Sequence, residues 1–268
     1  MTYVATKGVR TYYEVAGEGP PMVLLHCNPF DHRVWAYQIA HFSTWFKVVA
    51  PDLRGYGRTD KVIEPYSVAD CCDDVLGVMA AEKIATKTVL VGCSIGSVLA
   101  LRLGHDRPEL FSALIGVGAA APPKDRGPND PQVKAYRETP FPASWRQHME
   151  KTVSAGFVTT PRGRYFLDLF EAWAPNMEAE GIVKLLQARG PENLLPILPK
   201  ISLPTLIVNG EHDTAFEGGK KTASLIPGAE RYVLPNTGHA CMIEDPAGFD
   251  AAVIKFLSAR GLMPKGTA

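Results

Sequence analysis

The stretch VLVGCSIGSVLAL, residues 89–101, constrains the fold of this chain more than any other segment. A continuous apolar run meets a serine flanked by Gly92 and Gly96, and then the sequence turns apolar again. Neither a strand nor a helix favours glycine in its interior. The pattern therefore predicts a strand that ends in a tight, crowded turn at Ser94 and continues directly into a buried helix.

Short apolar runs elsewhere in the chain predict the strands that surround this turn. Helical patterns separate several of these runs, as at residues 67–81, 96–103 and 246–260. Such an alternation is typical of parallel strands that are buried on both faces. We therefore predict an α/β fold with a mostly parallel, doubly wound sheet. The predicted strands cover residues 9–15, 21–27, 46–50, 88–92, 113–118, 204–209 and 229–234.

The alternation of strands and helices stops after the sixth core strand. From residue 121 to about residue 199 the sequence has helical patterns and more aromatic side chains than a surface crossover needs. We predict a helical cap at residues 122–199, inserted between two parts of a core domain at 1–121 and 200–268. Ordinary crossover helices with buried aromatic residues are the alternative. Within the cap, Trp145 and Trp173 are candidates for substrate binding.

The overall charge and the cysteines limit the partners of the protein. Lys and Arg number 28 and so do Asp and Glu, which leaves no electrostatic footprint for nucleic acid or an anionic membrane. There is no apolar run of 18 residues and no signal sequence, so we expect a cytoplasmic protein with a small-molecule substrate. Five cysteines without metal-ligand spacing indicate reduced thiols, and we expect no metal and no cofactor. Homodimer formation is left open.

A serine hydroxyl needs a base within hydrogen-bond reach, and the base needs an orienting carboxylate. His239 lies in NTGHACMIEDP, a predicted loop between the strand at 229–234 and the last helix. Asp213 ends NGEHD, directly after the strand at 204–209. The chain order Ser94, Asp213, His239 is the order expected for a serine on such a turn. Glu211 is the rival acid, since it lies nearer the end of the strand.

Together with Ser94, Asp213 and His239, further segments resemble those of the α/β-hydrolase superfamily, in particular its esterases, epoxide hydrolases and enol-lactonases. The resemblance runs from about residue 12 to residue 257. The resemblance implies an α/β-hydrolase fold, a Ser-His-Asp triad and catalysis through an acyl-enzyme. It also implies an oxyanion hole formed by the backbone N–H groups of Asn28 and Ile95. We therefore expect hydrolysis of a small or medium, fairly apolar carboxylic ester or lactone. The segments are HCNP at 26–29, DHRVW at 31–35, DLRGYG at 52–57, GEHD at 210–213, GH at 238–239 and EDP at 244–246.

The segment HCNP departs from the family pattern at two positions. Cys27 stands where glycine is usual, and Asn28 is also unusual. In haloalkane dehalogenases the matching asparagine helps to hold halide, but those enzymes use an aspartate where this chain has Ser94. The Asn28 side chain is therefore a candidate for binding a substrate oxygen, with a purely backbone role as the alternative. Nearby, we expect an ion pair between Asp31 and Arg54.

Three other functions stay open on the same fold. Cofactor-free ring-cleaving dioxygenases share a Ser/His/Asp set, but their acid follows the sixth strand. Here residues 118–124 hold no carboxylate, and Asp125 comes late. A hydrolase of C–C bonds and a hydrolase-like small-molecule receptor with little turnover are the other two.

Overall fold

One sheet of eight strands forms the centre of the molecule, in a computed structural model that describes residues 2–119, 121–122 and 127–264. The strands are β1 (Thr2–Thr6), β2 (Val9–Ala16), β3 (Pro21–Leu25), β4 (Lys47–Pro51), β5 (Thr88–Cys93), β6 (Phe111–Val117), β7 (Thr205–Gly210) and β8 (Glu230–Leu234). Their spatial order is β1-β2-β4-β3-β5-β6-β7-β8. The β1–β2 and β2–β4 pairs are antiparallel and the other five pairs are parallel. The predicted mostly parallel sheet is therefore confirmed.

Helices connect the strands. In the described part of the chain they are α1 (Ala36–Phe42), α2 (Val68–Ala81), α3 (Ile95–Asp106), α4 (Pro131–Glu138), α5 (Ala143–Thr152), α6 (Ala155–Thr159), α7 (Pro161–Glu171), α8 (Ala179–Arg189), α9 (Phe216–Leu225), α10 (Cys241–Glu244) and α11 (Pro246–Ser258). None of these helices combines the length and the apolar composition needed to cross a membrane. Helix α2 begins where the sequence predicts it, because the Ser67 side chain and the Asp70 carboxylate each cap the other's backbone N–H.

The strands at the centre of the sheet are buried along their whole length. Every residue of β5 and of β7 is buried, as expected for strands with helices on both faces. Helix α3 packs against β5 and β6, and nine of its twelve residues are buried. This packing fixes the carboxyl end of β5 in the middle of the sheet, where ligands bind in open α/β folds.

A helical segment separates β6 from β7. Helices α4 to α8 all lie in this segment, and no strand occurs among its described residues. The predicted helical cap after the sixth core strand is therefore confirmed as part of the fold. The boundaries at residues 122 and 199 stay a prediction, and residues 123–126 lie outside the described part of the chain.

Strand β1 and helices α1, α9 and α10 were not predicted from the sequence, and each has a weak local pattern; α10 has only four residues, in the predicted loop after His239. Strand β1 lies at the edge of the sheet and is mostly exposed, so its sequence has little apolar alternation. Helix α1 has only seven residues. Helix α9 contains two adjacent glycines, Gly218 and Gly219, which lower helix propensity. Hydrogen bonding to β2 determines β1, and packing against neighbouring elements, not local propensity, determines the helices.

Candidate active site

The backbone at Ser94 has a conformation that side-chain-bearing residues rarely adopt. Its φ is 55° and its ψ is −111°, directly between β5 and α3. A Cβ atom at Gly92 would lie 2.0 Å from the Gly96 carbonyl oxygen, and one at Gly96 would lie 2.2 Å from the Leu25 carbonyl oxygen. Only glycine fits at both positions, which explains the two glycines around the serine. Such local strain is found mainly at functional sites.

The strained turn leaves Ser94 accessible. Every residue from 88 to 101 is buried except Ser94, which is partly exposed. Its backbone N–H donates to the Val117 carbonyl oxygen of β6 at 2.8 Å, which fixes the turn to the neighbouring strand. The Ser97 hydroxyl donates to the Ser94 carbonyl oxygen at 2.6 Å. The turn is thus fixed on both sides while its hydroxyl-bearing side chain remains reachable.

His239 lies beside this turn with its orientation set by Asp213. The distance from His239 Nδ1 to Asp213 Oδ1 is 2.6 Å. A carboxylate can only accept hydrogen bonds, so Nδ1 bears the proton and Nε2 is left as the basic nitrogen. Asp213 in turn accepts from Asn209 Nδ2 at 2.8 Å and from the Ala215 backbone N–H at 2.7 Å. The carboxylate is therefore held in place from three directions.

The electrostatics of this pair favour charge on both partners. Burial by itself raises the pKa of Asp213, but the charge and hydrogen bond of His239 bring it below its usual value. For His239, burial opposes protonation, while the charge and hydrogen bond of Asp213 raise its pKa above the usual 6.5. An imidazole in this position can accept a proton and is stabilised when it does.

The rival acid Glu211 does not contact His239. It is exposed, and its carboxylate accepts a hydrogen bond from the Asn236 backbone N–H at 3.0 Å. Both Glu211 and Asp213 follow β7, but only the Asp213 side chain points to the histidine. The geometry therefore favours Asp213 as the partner of His239.

A cavity of about 100 Å³ joins the predicted site residues. Ser94, His239, Asn28 and Ile95 all lie in its wall. The remaining wall is mostly apolar and includes side chains of α8 from the cap. Its other residues are Val98, Gly118, Leu185, Leu186, Arg189 and Ala215.

Gly118 forms a part of this wall that the sequence did not reveal. It follows β6 with a φ of +58°, and a Cβ atom there would lie 2.5 Å from His239 Cε1. The imidazole therefore packs directly on the Gly118 backbone. The sequence feature that could have indicated this contact is a glycine at the end of the strand next to the one that carries Ser94. Glycine at such a position often marks the close approach of another group.

Two residues of the cavity wall, Asn28 and Ile95, have backbone N–H groups without a hydrogen-bond partner in the described part of the chain. The Ile95 N–H is the first of α3, where the helix dipole also favours negative charge. These are the two donors that the resemblance assigns to an oxyanion hole.

The Asn28 side chain is an unexplained polar group beside the cavity. The residue is 8% exposed, and its Oδ1 and Nδ2 atoms are buried without a hydrogen-bond partner among the described residues. Leaving a buried amide unpaired costs roughly 1–3 kcal/mol per group. A cost of this kind at a binding cavity favours a role in contacting substrate.

Three cysteines lie around the site. Cys27, Cys93 and Cys241 are all buried and free. Burial raises the pKa of the Cys93 and Cys241 thiols well above its usual value, so neither forms a thiolate readily. Their small apolar side chains fill space next to Ser94 and His239.

The two cap tryptophans lie near the site but outside the wall of this cavity. Trp145 is fully buried, stacks on Phe141 and donates its indole N–H to the Pro29 carbonyl oxygen at 2.9 Å. Trp173 packs under the Arg33 guanidinium, 4.8 Å from its ring centre. Substrate contact by Trp145 or Trp173 therefore stays a prediction. The contact that the structure gives Trp145 is to the loop that contains Asn28.

The ion pair expected between Asp31 and Arg54 is wrong. Asp31 pairs with Arg33 at 2.6 Å, and Arg54 pairs with Asp74 of α2 at 2.7 Å. Arg33 lies two residues from Asp31 in the same turn, so it reaches the carboxylate first. Arg54 is buried and lies against α2, where Asp74 is its nearest acid.

Among the described residues, one group of side chains has ligand atoms close enough together to hold a metal ion, namely Asp31, His32 and Asp52. Asp52 accepts hydrogen bonds from the His32 N–H and Nδ1 and from the Arg58 N–H, at 2.6–2.9 Å. Asp31 is occupied by Arg33. Because protein donors already use these oxygen atoms, the group is a structural network below the Asn28 loop.

The model of the alpha/beta hydrolase fold family matches residues 20–246. The chain belongs to this family. It is 28% identical to the AB hydrolase superfamily protein YisY of Bacillus subtilis (strain 168), over 95% of this chain and 98% of that protein. It is similar in structure to Est816, an N-acyl homoserine lactone degrading enzyme, with a TM-score of 0.82 and 28% identity over 95% and 100% of the two chains. It is also similar to the enol-lactonase of Burkholderia xenovorans LB400, with a TM-score of 0.85 and 25% identity over 96% and 100%.

Proposed function

We propose that this protein is a serine hydrolase that cleaves a small or medium, fairly apolar carboxylic ester or lactone. The observation that supports this most strongly is one cavity lined by Ser94, on a strained turn, and by His239, whose Nδ1 bonds to Asp213. The similarity to an enol-lactonase and to a lactone-degrading enzyme supports the same class of substrate.

In the first half of the reaction, Ser94 Oγ attacks the substrate carbonyl carbon while its proton passes to His239 Nε2. The carbonyl oxygen becomes an oxyanion that accepts hydrogen bonds from the Asn28 and Ile95 N–H groups. One such donor lowers the barrier by roughly 3–4 kcal/mol. Asp213 stabilises the imidazolium. The C–O bond to the alcohol then breaks, the alcohol takes the proton from Nε2, and an ester of Ser94 remains.

In the second half, water attacks the ester carbonyl and gives a proton to His239 Nε2. The Ser94–acyl bond breaks, the serine oxygen takes the proton back, and a carboxylic acid is released. For a lactone, the alcohol and the acid are parts of one hydroxy acid. Both halves use the same base and the same oxyanion donors.

The cavity wall supports a small apolar acyl group. At about 100 Å³ the space next to Ser94 holds few heavy atoms, and Ile95, Val98, Leu185 and Leu186 give it an apolar surface. The buried, unpaired Asn28 amide would add a hydrogen bond to a substrate oxygen. We therefore keep Asn28 as a substrate-binding residue through its side chain as well as its backbone.

The location proposed for the protein is the cytoplasm. All five cysteines are free and buried, which supports a reducing compartment. A cofactor-free dioxygenase has less support, since Gly118, which has no side chain, directly follows the sixth strand, and His239 instead bonds to Asp213 after β7. Asp125, the other acid after that strand, lies outside the described residues.

Covalent labelling tests the proposal. A fluorophosphonate should label the wild-type protein at Ser94 alone, and p-nitrophenyl acetate should be turned over. Ser94→Ala should abolish both, with an unchanged melting temperature, while Ser224→Ala, an exposed serine of α9, should change neither. If Ser94→Ala keeps more than about one hundredth of the wild-type kcat, the proposal is wrong, because loss of a triad nucleophile costs far more. Labelling without ester turnover would favour a receptor.

A further inference from the structure

Glu244 is a buried carboxylate close to His239 that the proposed reaction does not use. It ends α10, five residues after the histidine, and is 6% exposed. Its Oε1 accepts from the Gly238 N–H at 2.8 Å and from the Ser154 N–H at 3.0 Å. Its Oε2 accepts from the Ser154 hydroxyl. One carboxylate therefore joins the residue before His239 to the cap segment.

The backbone around His239 is attached to the same cap segment on its other side. The Ala240 N–H donates to the Thr152 carbonyl oxygen at 2.8 Å. A Cβ atom at Gly238 would lie 2.6 Å from the Ser154 nitrogen, so the two chains touch without side chains between them. The neighbours of the histidine on both sides thus rest on residues 152–154, where α5 ends and α6 begins.

A second cap helix contacts the same point. Arg162 of α7 donates its guanidinium to the Glu244 carbonyl oxygen. The Ser154 hydroxyl that donates to Glu244 also caps α6, because it accepts from the Phe157 N–H at 3.2 Å. The start of α6 and the position of α7 are therefore connected to the loop that contains His239.

We propose that Glu244 is a positioning residue that fixes His239 for catalysis by binding the cap segment 152–154 to the Gly238 backbone. This rests on the proposed function, in which His239 is the base. Asp213 determines which way the imidazole faces, and Glu244 determines where its loop lies. A cap that moves away from residues 238–240 would therefore also displace the base from Ser94.

The chemistry of the three hydrogen bonds explains why a carboxylate is present. Two backbone N–H groups and a hydroxyl converge on it, and charge-assisted hydrogen bonds of this kind are stronger than neutral ones. Burial raises the pKa of Glu244 above its usual value, so keeping the ionised form here has a cost.

Two variants at this position separate its effects. Glu244→Ala leaves three donors unpaired, and we expect fluorophosphonate labelling of Ser94 to slow by about 10- to 100-fold, as small misplacements of a catalytic group do. The kcat for p-nitrophenyl acetate should fall in parallel, with KM nearly unchanged. Glu244→Gln should keep the labelling rate and the kcat near their wild-type values. Its amide oxygen can accept from both backbone N–H groups, and its amide nitrogen can donate to the hydroxyl oxygen of Ser154.

Asp250→Ala is the matched control. Asp250 is 5% exposed and its carboxylate accepts from Gln38 and His41, so its loss also removes a buried, hydrogen-bonded acid. It should lower the melting temperature as Glu244→Ala does but leave the labelling rate within about twofold, because its carboxylate contacts neither Gly238 nor Ser154. Equal slowing in the two variants, or no slowing in Glu244→Ala, would overturn the proposal.

A spectroscopic measurement keeps the test independent of activity. The proton between His239 Nδ1 and Asp213 gives a downfield NMR resonance, which should shift or broaden in Glu244→Ala and stay unchanged in Asp250→Ala. If Glu244→Ala does not fold, Ser154→Ala removes one of the three contacts and should slow labelling by several-fold. If the fluorophosphonate does not label the wild-type protein, the proposed function is wrong. If the resonance is unperturbed in folded Glu244→Ala, the positioning role of Glu244 is wrong.

Discussion

The turn at Ser94 and the cap that covers it are stabilised by different kinds of contact. The turn is fixed by strands β5 and β6, by backbone hydrogen bonds and by glycines that no other residue can replace. The cap has a buried centre, but its helices α5 and α7 are also joined by partly exposed ion pairs of Arg146 with Asp168 and Glu171. Exposed pairs contribute little to stability. We therefore expect the chemistry to depend on the turn and the substrate specificity to depend on the cap.

The largest loss of activity is expected from a substitution at Asp213, which orients His239 beside the Ser94 turn. Asp213→Asn should lower kcat by about 10³- to 10⁴-fold with the fold intact, because the amide favours the wrong histidine tautomer. Glu211→Gln is the control and should retain nearly full activity, since Glu211 contacts Asn236 and not His239. Steady-state kinetics and thermal melts decide it, and the reverse ranking would move the acid to Glu211.

The pH dependence tests the same pair. His239 must be neutral to accept the serine proton, so kcat/KM should fall as the pH decreases through the pKa of His239. Asp213 raises that pKa above 6.5, and the acid limb should therefore lie above pH 6.5. In Asp213→Asn the remaining activity should keep an acid limb shifted to lower pH. An unshifted limb would mean that another group is titrating.

A substitution at Asn28 tests a residue that lines the cavity together with Ser94 and with side chains of the cap helix α8. Asn28→Ala keeps the backbone N–H but removes an amide that has no partner in the described residues. The melting temperature should not fall, because removing an unpaired buried group costs little, while kcat/KM should drop by about 10-fold through the lost substrate hydrogen bond. Unchanged kinetics would limit Asn28 to its backbone role.

The difference between the two regions also explains what the sequence could predict. Ser94, Gly92 and Gly96 are determined by local crowding, and His239 and Asp213 by their places after strands, so a pattern within a few residues identifies them. The role of Glu244 depends on Ser154, 90 residues away, and no local pattern indicates such a pair. The ion-pair prediction failed for two reasons, because Asp31 pairs with the nearby Arg33 of its own turn, whereas Arg54 pairs with Asp74, 20 residues away, which only the fold brings close.

The smallest expected effect on kcat/KM distinguishes cap residues that line the cavity from cap residues that only support the structure. Leu186 of α8 lines the cavity, whereas Trp145 is buried against Phe141 and the Pro29 carbonyl oxygen. Leu186→Ala enlarges the acyl pocket, so kcat/KM should shift from acetate toward butanoate or hexanoate by a few-fold, since each buried CH₂ contributes about 0.8 kcal/mol. Trp145→Ala should lower the melting temperature and reduce kcat/KM alike for every chain length.

Measuring kcat/KM for p-nitrophenyl esters from acetate to octanoate, with melts of both variants and of Trp173→Ala, tests this distinction. The sequence predicts substrate contact for both tryptophans. If Trp145→Ala or Trp173→Ala lowers kcat/KM only for long acyl chains, that tryptophan ring contacts the substrate. In that case the acyl group must extend beyond the cavity of about 100 Å³ and under the aromatic part of the cap. Uniform losses would assign both rings to the scaffold that holds the Asn28 loop, and substrate selection would lie with α8.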